Sequence, residues 1–184
     1  MERFHEIKIA GQKRKLPICK VNDKISIAAF ILFSDVKLTI ACAKALLNKV
    51  PEFDIILCPE AKSIPLAYEM SRQSKKKYFV ARKSVKIYTP NPVSSQVISI
   101  TTNSVQNLYL DKSEGEVITR KRVLLVDDVV STGKTLLALE SMLKNFGAVV
   151  AAKCAVLAEG AAAERKDIIY LNRLPLFENS DYED

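Results

Sequence analysis

An α/β fold built on a central, mainly parallel sheet flanked by helices is what this 184-residue chain predicts, and three observations predict it. Four short apolar runs, "DIILC" (54–58), "YFVAR" (78–82), "KRVLLVDD" (121–128) and "AVVAAKCAVLA" (148–158), have the continuous hydrophobicity of strands buried on both faces. Helical stretches fall between them. The order strand, helix, strand, helix, strand, helix, strand is that of a parallel sheet.

The elements follow in order. Residues 7–21, "IKIAGQKRKLPICKV", alternate on both sides of "GQKR", as a β-hairpin or a flexible arm would. After Ser34, residues Val36, Leu38, Ile40, Ala43, Leu46 and Leu47 share one broad helical face, with Ser34 or Asp35 as cap and Pro51 as stop. The strand at 54–58 leads through "PEAKS" to a helix, "IPLAYEMSRQSKKK", with Pro65 in its first turn. After "YFVAR", residues 83–94 are polar, carry two prolines and predict a long mobile loop. "SQVISITT" and "VQNLYL" predict a strand pair around "NS". The strand ending at Asp128 precedes a helix from Thr135 to Phe146, stopped by Gly147. The acidic "ENSDYED" predicts a frayed end.

Composition sets the bounds. Hydrophobic residues at 48% and charged residues at 27% suit one globular domain with a real core. No apolar run approaches the roughly 20 residues of a membrane span. The N-terminus lacks a signal-peptide pattern, so a cytoplasmic protein without a membrane partner is expected. The four cysteines are widely spaced and sit among apolar neighbours, as reduced core residues do. A zinc site would want more histidine than His5 alone. The net charge of +7 fits either nucleic acid or a small polyanion such as a phosphorylated metabolite.

The chemistry concentrates at residues 122–139, "RVLLVDDVVSTGKTLLAL". A Walker A loop needs glycine five places before Gly133, and that position is Asp128. A carboxylate there would face the phosphates, so the Walker reading fails. Asp127 and Asp128 close a strand at the edge where open α/β sheets bind ligands. Two adjacent carboxylates repel, and a vicinal diol relieves this by donating one hydroxyl to each. One aspartate alone could cap the following helix. Two of them, followed by Ser131, Thr132, Gly133, Lys134 and Thr135, suit a ribose 5-phosphate better. Hydroxyls, a flexible turn and a helix N-terminus grip the phosphate.

"VLLVDDVVSTGKT" resembles the PRPP-binding signature of the type I phosphoribosyltransferases (PRPP, 5-phosphoribosyl 1-pyrophosphate). By that resemblance Asp127 and Asp128 hold the ribose hydroxyls, and Ser131 to Thr135 hold the 5-phosphate. "FDIILCPEAKSIPLAYEM" is similar to the pyrophosphate turn of the purine members, which implies that role for Glu60, Ala61, Lys62 and Ser63. "YFVARK" resembles the next strand of adenine and xanthine phosphoribosyltransferases. It implies Arg82 and Lys83, and more loosely Lys86, as pyrophosphate partners. The implied fold has a PRPP-binding core at 34–160, a small hood from 1–33, and a C-terminal strand and tail at 161–184, together one domain.

The implied reaction transfers phosphoribosyl from Mg-PRPP to a purine. Mg²⁺ enters with PRPP, and no protein ligand is assigned to it. Adenine leads narrowly. "LFSD" (32–35) resembles a base-covering segment and offers Phe33 for stacking, Val129 is a further base candidate, and Glu159 could accept from a 6-amino group. Phe33 suits plain core as well, and Glu159 could face solvent. "SQVISITTNSVQNLYL" (95–110) lacks the glutamate adenine enzymes commonly carry there, so no general base is assigned. That stretch is closer to xanthine phosphoribosyltransferases and to bacterial PRPP-sensing repressors. A non-catalytic sensor is therefore the alternative to an enzyme of purine salvage. About thirty residues precede "LFSD" without a helix-turn-helix pattern, which favours the enzyme and makes a nucleic-acid partner unexpected. A homodimer is expected from the family resemblance.

Overall fold

The computed structural model describes residues 3–87, 91–98 and 105–179. Strands β1 (Phe4–Ile9), β2 (Gln12–Lys20) and β3 (Ile25–Ala28) precede helix α1 (Val36–Leu47). Strand β4 (Ile55–Pro59), helix α2 (Ile64–Ser74) and strand β5 (Lys77–Ala81) follow. A hairpin of β6 (Pro92–Ile98) and β7 (Val105–Asp111) leads into helix α3 (Lys112–Ile118). Then come β8 (Arg122–Val130), α4 (Lys134–Lys144), β9 (Val149–Glu159), a 3-10 turn, β10 (Ile169–Leu174) and β11 (Leu176–Glu178).

The expected sheet is present, with five strands in the order β10-β9-β8-β4-β5, every pair parallel. Helices cover both faces, and β8 shows how. Leu124 and Val126 pack with Leu38, Leu46, Leu66 and Met70 of α1 and α2. Val123 and Leu125 pack with Leu136, Leu139 and Met142 of α4. Alternate side chains serve opposite cores, so the run has no polar position until Asp127.

The hairpin reading of the N-terminus holds, with its turn at Ala10 and Gly11. β1, β2 and β3 form a second, antiparallel sheet that β11 completes by pairing with β3. Arg14 of β2 fastens this sheet to α1 through Asp35, with Nη2 to Oδ1 at 2.9 Å. Asp35 also caps α1, accepting from the Leu38 backbone N–H at 3.1 Å.

Several details differ from expectation. Val36 and Ile40 are exposed, whereas Thr39 and Cys42 are buried, because the buried stripe of α1 is rotated from the expected face to Leu38, Thr39, Cys42, Ala43 and Leu46. β5 is an edge strand and only partly buried. Cys19 is exposed on β2, while Cys42, Cys58 and Cys154 are buried, and all four are free thiols. Part of the 83–94 loop, from Pro92, already belongs to β6, paired with β7. Residues 88–90 and 99–104 of the predicted loop and strand pair, and the end of the acidic tail, lie outside the described residues. Helix α3 has no counterpart in the sequence reading. Its capping box, with Asp111 accepting from Ser113 N–H and Glu114 from Asp111 N–H, starts a seven-residue helix despite Gly115. That glycine has a packing reason: a Cβ there would sit 2.1 Å from the Phe146 ring.

Candidate active site at the carboxyl edge of the sheet

A cavity of about 560 Å³ opens beyond the carboxyl ends of β4 and β8. β8 contributes Asp127, Asp128 and Val129, the turn after β4 contributes Glu60 to Ser63, and Thr135 enters from the start of α4. Both aspartates are buried, at 8% and 4% exposure. Burial first, then the adjacent Asp128 carboxylate, push Asp127 up to about 7, while a hydrogen bond from Ser63 pulls the other way. That bond, Ser63 Oγ to Asp127 Oδ1, is 2.7 Å, and the Asp128 backbone N–H donates to the same oxygen at 2.9 Å. Ser63 sits at the N-cap of α2 but makes no side-chain capping bond, because its hydroxyl is turned to Asp127.

Lys62 Nζ lies 3.2 Å from Asp128 Oδ2. That oxygen is buried and accepts no hydrogen bond from any described residue, so the ammonium neutralises it without satisfying it. The turn itself is braced from β5. Glu60 N–H donates to Ala81 O at 2.9 Å, and Glu60 Oε2 accepts from Lys83 N–H at 2.8 Å. The Glu60–Ala61 peptide is cis. Glu60 thus ties two loops together, and Lys62 and Lys83 are the cations that line the cavity.

Not all of the other nominated residues line it. Arg82 is held in a two-pronged pair by Glu114 of α3, at 2.9 and 3.1 Å, and does not line the cavity. Lys86 is partly buried and also outside the lining. In the 131–135 loop, Gly133 takes a left-handed φ of 75° at the N-cap of α4. Ser131 and Thr132 are exposed beside it, and Lys134 is half-buried. Phe33 lines a separate cleft of about 290 Å³ with Tyr68 and Glu69. Glu159 is half-buried at the end of β9, paired in register with Leu174. Asn107 and Leu108 of β7 line the cavity and were not anticipated, since nothing local distinguishes them within an alternating strand. Cys58 lies just before the turn, and burial raises its thiol above the usual range.

Among the described residues no group of three or more acidic, histidine or cysteine side chains is placed to hold a metal. No helix is long and apolar enough to cross a membrane.

A strand that carries paired carboxylates two residues before its end at Val130, followed by a hydroxyl-rich turn into a helix, is an arrangement for binding sugar phosphates. Residues 35–181 match the family model of the phosphoribosyl transferase domain, and the chain belongs to that family. The purine biosynthesis transcriptional repressor of Bacillus subtilis is 28% identical over 125 residues, covering 68% of this chain and 43% of the repressor. Adenine phosphoribosyltransferase of Fervidobacterium nodosum is 29% identical over 101 residues, covering 55% and 56%. Hypoxanthine/guanine phosphoribosyltransferase of Methanothrix thermoacetophila is 35% identical over 115 residues, covering 62% and 56%. The chain spans about half the length of these relatives. The crystal structure of adenine phosphoribosyltransferase from Thermoanaerobacter pseudethanolicus superposes with a TM-score of 0.66 at 19% identity, covering 92% of this chain and 95% of that one. The type I phosphoribosyltransferase fold is therefore shared over most of the chain.

Proposed function

We propose that this chain transfers the 5-phosphoribosyl group from Mg-PRPP to a free purine, adenine first among them, giving the nucleoside monophosphate and pyrophosphate. The observation that carries the reading is the buried Asp127–Asp128 pair with Lys62 in one cavity that Thr135, at the start of α4, also lines. The ribose 2- and 3-hydroxyls donate to the two carboxylates. The 5-phosphate takes the backbone N–H groups at the start of α4 with Thr132 and Thr135. Lys62 and Lys83 receive the pyrophosphate.

The bond from C1 to the pyrophosphate oxygen breaks and a bond from C1 to a purine nitrogen forms. Positive charge develops on C1 and the ring oxygen as the leaving group gains negative charge, so the cations act on the departing pyrophosphate. The purine N–H proton passes to a phosphate oxygen or to water, since residues 95–110 contain no glutamate to take it. Mg²⁺, entering with PRPP, would neutralise charge on the leaving group. Arg82 acts at one remove, holding the end of β5 through Glu114.

Glu159, an acceptor, supports adenine over an oxopurine, while the hypoxanthine/guanine relative supports the opposite choice. The repressor relative and the missing glutamate support a second reading, a PRPP sensor without catalysis. Homodimerisation is consistent with the exposed apolar side chains Phe33, Val36, Ile40 and Tyr68 on and beside α1 and α2. The test is nucleotide formation from Mg-PRPP with adenine, guanine, hypoxanthine or xanthine, beside an Asp127→Asn/Asp128→Asn control. Product from adenine, lost in the control, is expected. Product from oxopurines alone overturns the role given to Glu159. PRPP binding without product from any base establishes the sensor.

A further inference from the structure

We propose that Arg165 is an additional cation of the 5-phosphate subsite, brought against the 131–135 loop by the absence of a side chain at Gly133. The inference rests on the PRPP reading of that loop. Arg165 follows the 3-10 turn Gly160–Glu164, distant in sequence from the loop it reaches. A Cβ built on Gly133 would lie 2.2 Å from Arg165 Nη1. A side chain at 133 would displace the tip of this guanidinium, so its close approach to the loop depends on the glycine that the φ of 75° already favours.

The arginine is held in place by its other edge. Nε and Nη2 donate to Asp167 Oδ1 and Oδ2 at 2.9 and 2.7 Å, and Nη1 makes no hydrogen bond to any described residue. Asp167 is fixed in turn by Lys153 of β9 at 2.7 Å, and Lys153 by Glu140 of α4 at 2.8 Å. The guanidinium is thus anchored to the helix whose N-terminus would hold the phosphate. Its free donor edge faces the turn at that N-terminus. A planar donor fork with one edge tied and the other open suits a phosphate oxygen arriving at the loop. Arg165 side-chain exposure is 28%, so solvent screens it less than a surface cation.

The test is calorimetric titration of ribose 5-phosphate, and separately of pyrophosphate with Mg²⁺, into wild type, Arg165→Ala, Arg165→Lys and Asp127→Asn/Asp128→Asn. Arg165→Ala is expected to weaken ribose 5-phosphate about tenfold or more while leaving pyrophosphate unchanged. Arg165→Lys should recover part of the loss, which a purely packing role would not allow. Equal weakening of both ligands by Arg165→Ala overturns the proposal in favour of general damage to the fold. Unchanged ribose 5-phosphate affinity in Arg165→Ala, with loss in the aspartate variant, overturns it and leaves the PRPP reading standing. If wild type binds neither ligand, the PRPP reading fails and this proposal with it.

Discussion

The loops after β4 and β8 leave neighbouring strands of one sheet and meet in one cavity, yet they are built in opposite ways. The β8 end buries two carboxylates whose charge nothing of its own neutralises. The β4 turn carries the remedy, Lys62 against Asp128 and Ser63 against Asp127. Its own shape is fixed from outside by β5 through Glu60. One loop stores unfavourable charge and the other relieves it. A buried polar site of this sort is costly to stability and ready for substrate, the usual sign of function rather than packing.

Breaking the charge complement should have the largest effect. Lys62→Glu adds a third carboxylate to the pair and is expected to weaken Mg-PRPP on the order of 100-fold by calorimetry, since like charges brought together cost several kcal/mol. Unchanged affinity would mean that Lys62 points away once ligand is bound. Ser63→Ala removes one charged hydrogen bond, and a loss of about tenfold in Mg-PRPP affinity is expected. Arg82→Ala sharpens the contrast from outside the cavity. It takes the cation from Glu114 and leaves only the capping-box bond from Asp111, so a melting temperature lower by about 5 °C is expected. PRPP affinity should move far less than in the Lys62 variant, and an equal loss would return Arg82 to the pyrophosphate site.

The smallest effect concerns pH. Asp127 ordinarily titrates at 3.8 and is raised to about 7 here. Between those values the folded chain holds a proton that the unfolded chain has released, so stability falls as pH rises across the window. Asp127→Asn removes that dependence. Its melting temperature should exceed wild type by about 3 °C above pH 7, and the difference should close near pH 4. A constant difference at every pH would contradict the burial of an ionised Asp127.

The sequence made these two loops legible to different depths. At β8, the run "RVLLV" named its own strand and led to the acid pair, because a strand buried on both faces admits no polar residue before the site begins, although the strand continues past the pair to Val130. At β4, Lys62 was legible as a cation near polyanion, but the part played by Glu60 was not. Its carboxylate bonds the Lys83 backbone, a contact between residues 23 apart that no local pattern encodes. Arg82 shows the same limit, since it reaches Glu114 across 32 residues. Helix α3 was missed because Gly115 lowers helix propensity, and the compensating contact with Phe146 is tertiary. The N-terminal hairpin was readable from alternation, whereas the β11 strand that completes its sheet arrives from the far end of the chain.

The most direct measurement is a titration of Mg-PRPP into wild type and the Asp127→Asn/Asp128→Asn variant under matched conditions, with melting curves to establish that both are folded. Saturable binding to wild type, lost in a variant that melts no lower, is the predicted result. Equal binding by the two proteins would contradict the assignment of the carboxylate pair to the ribose.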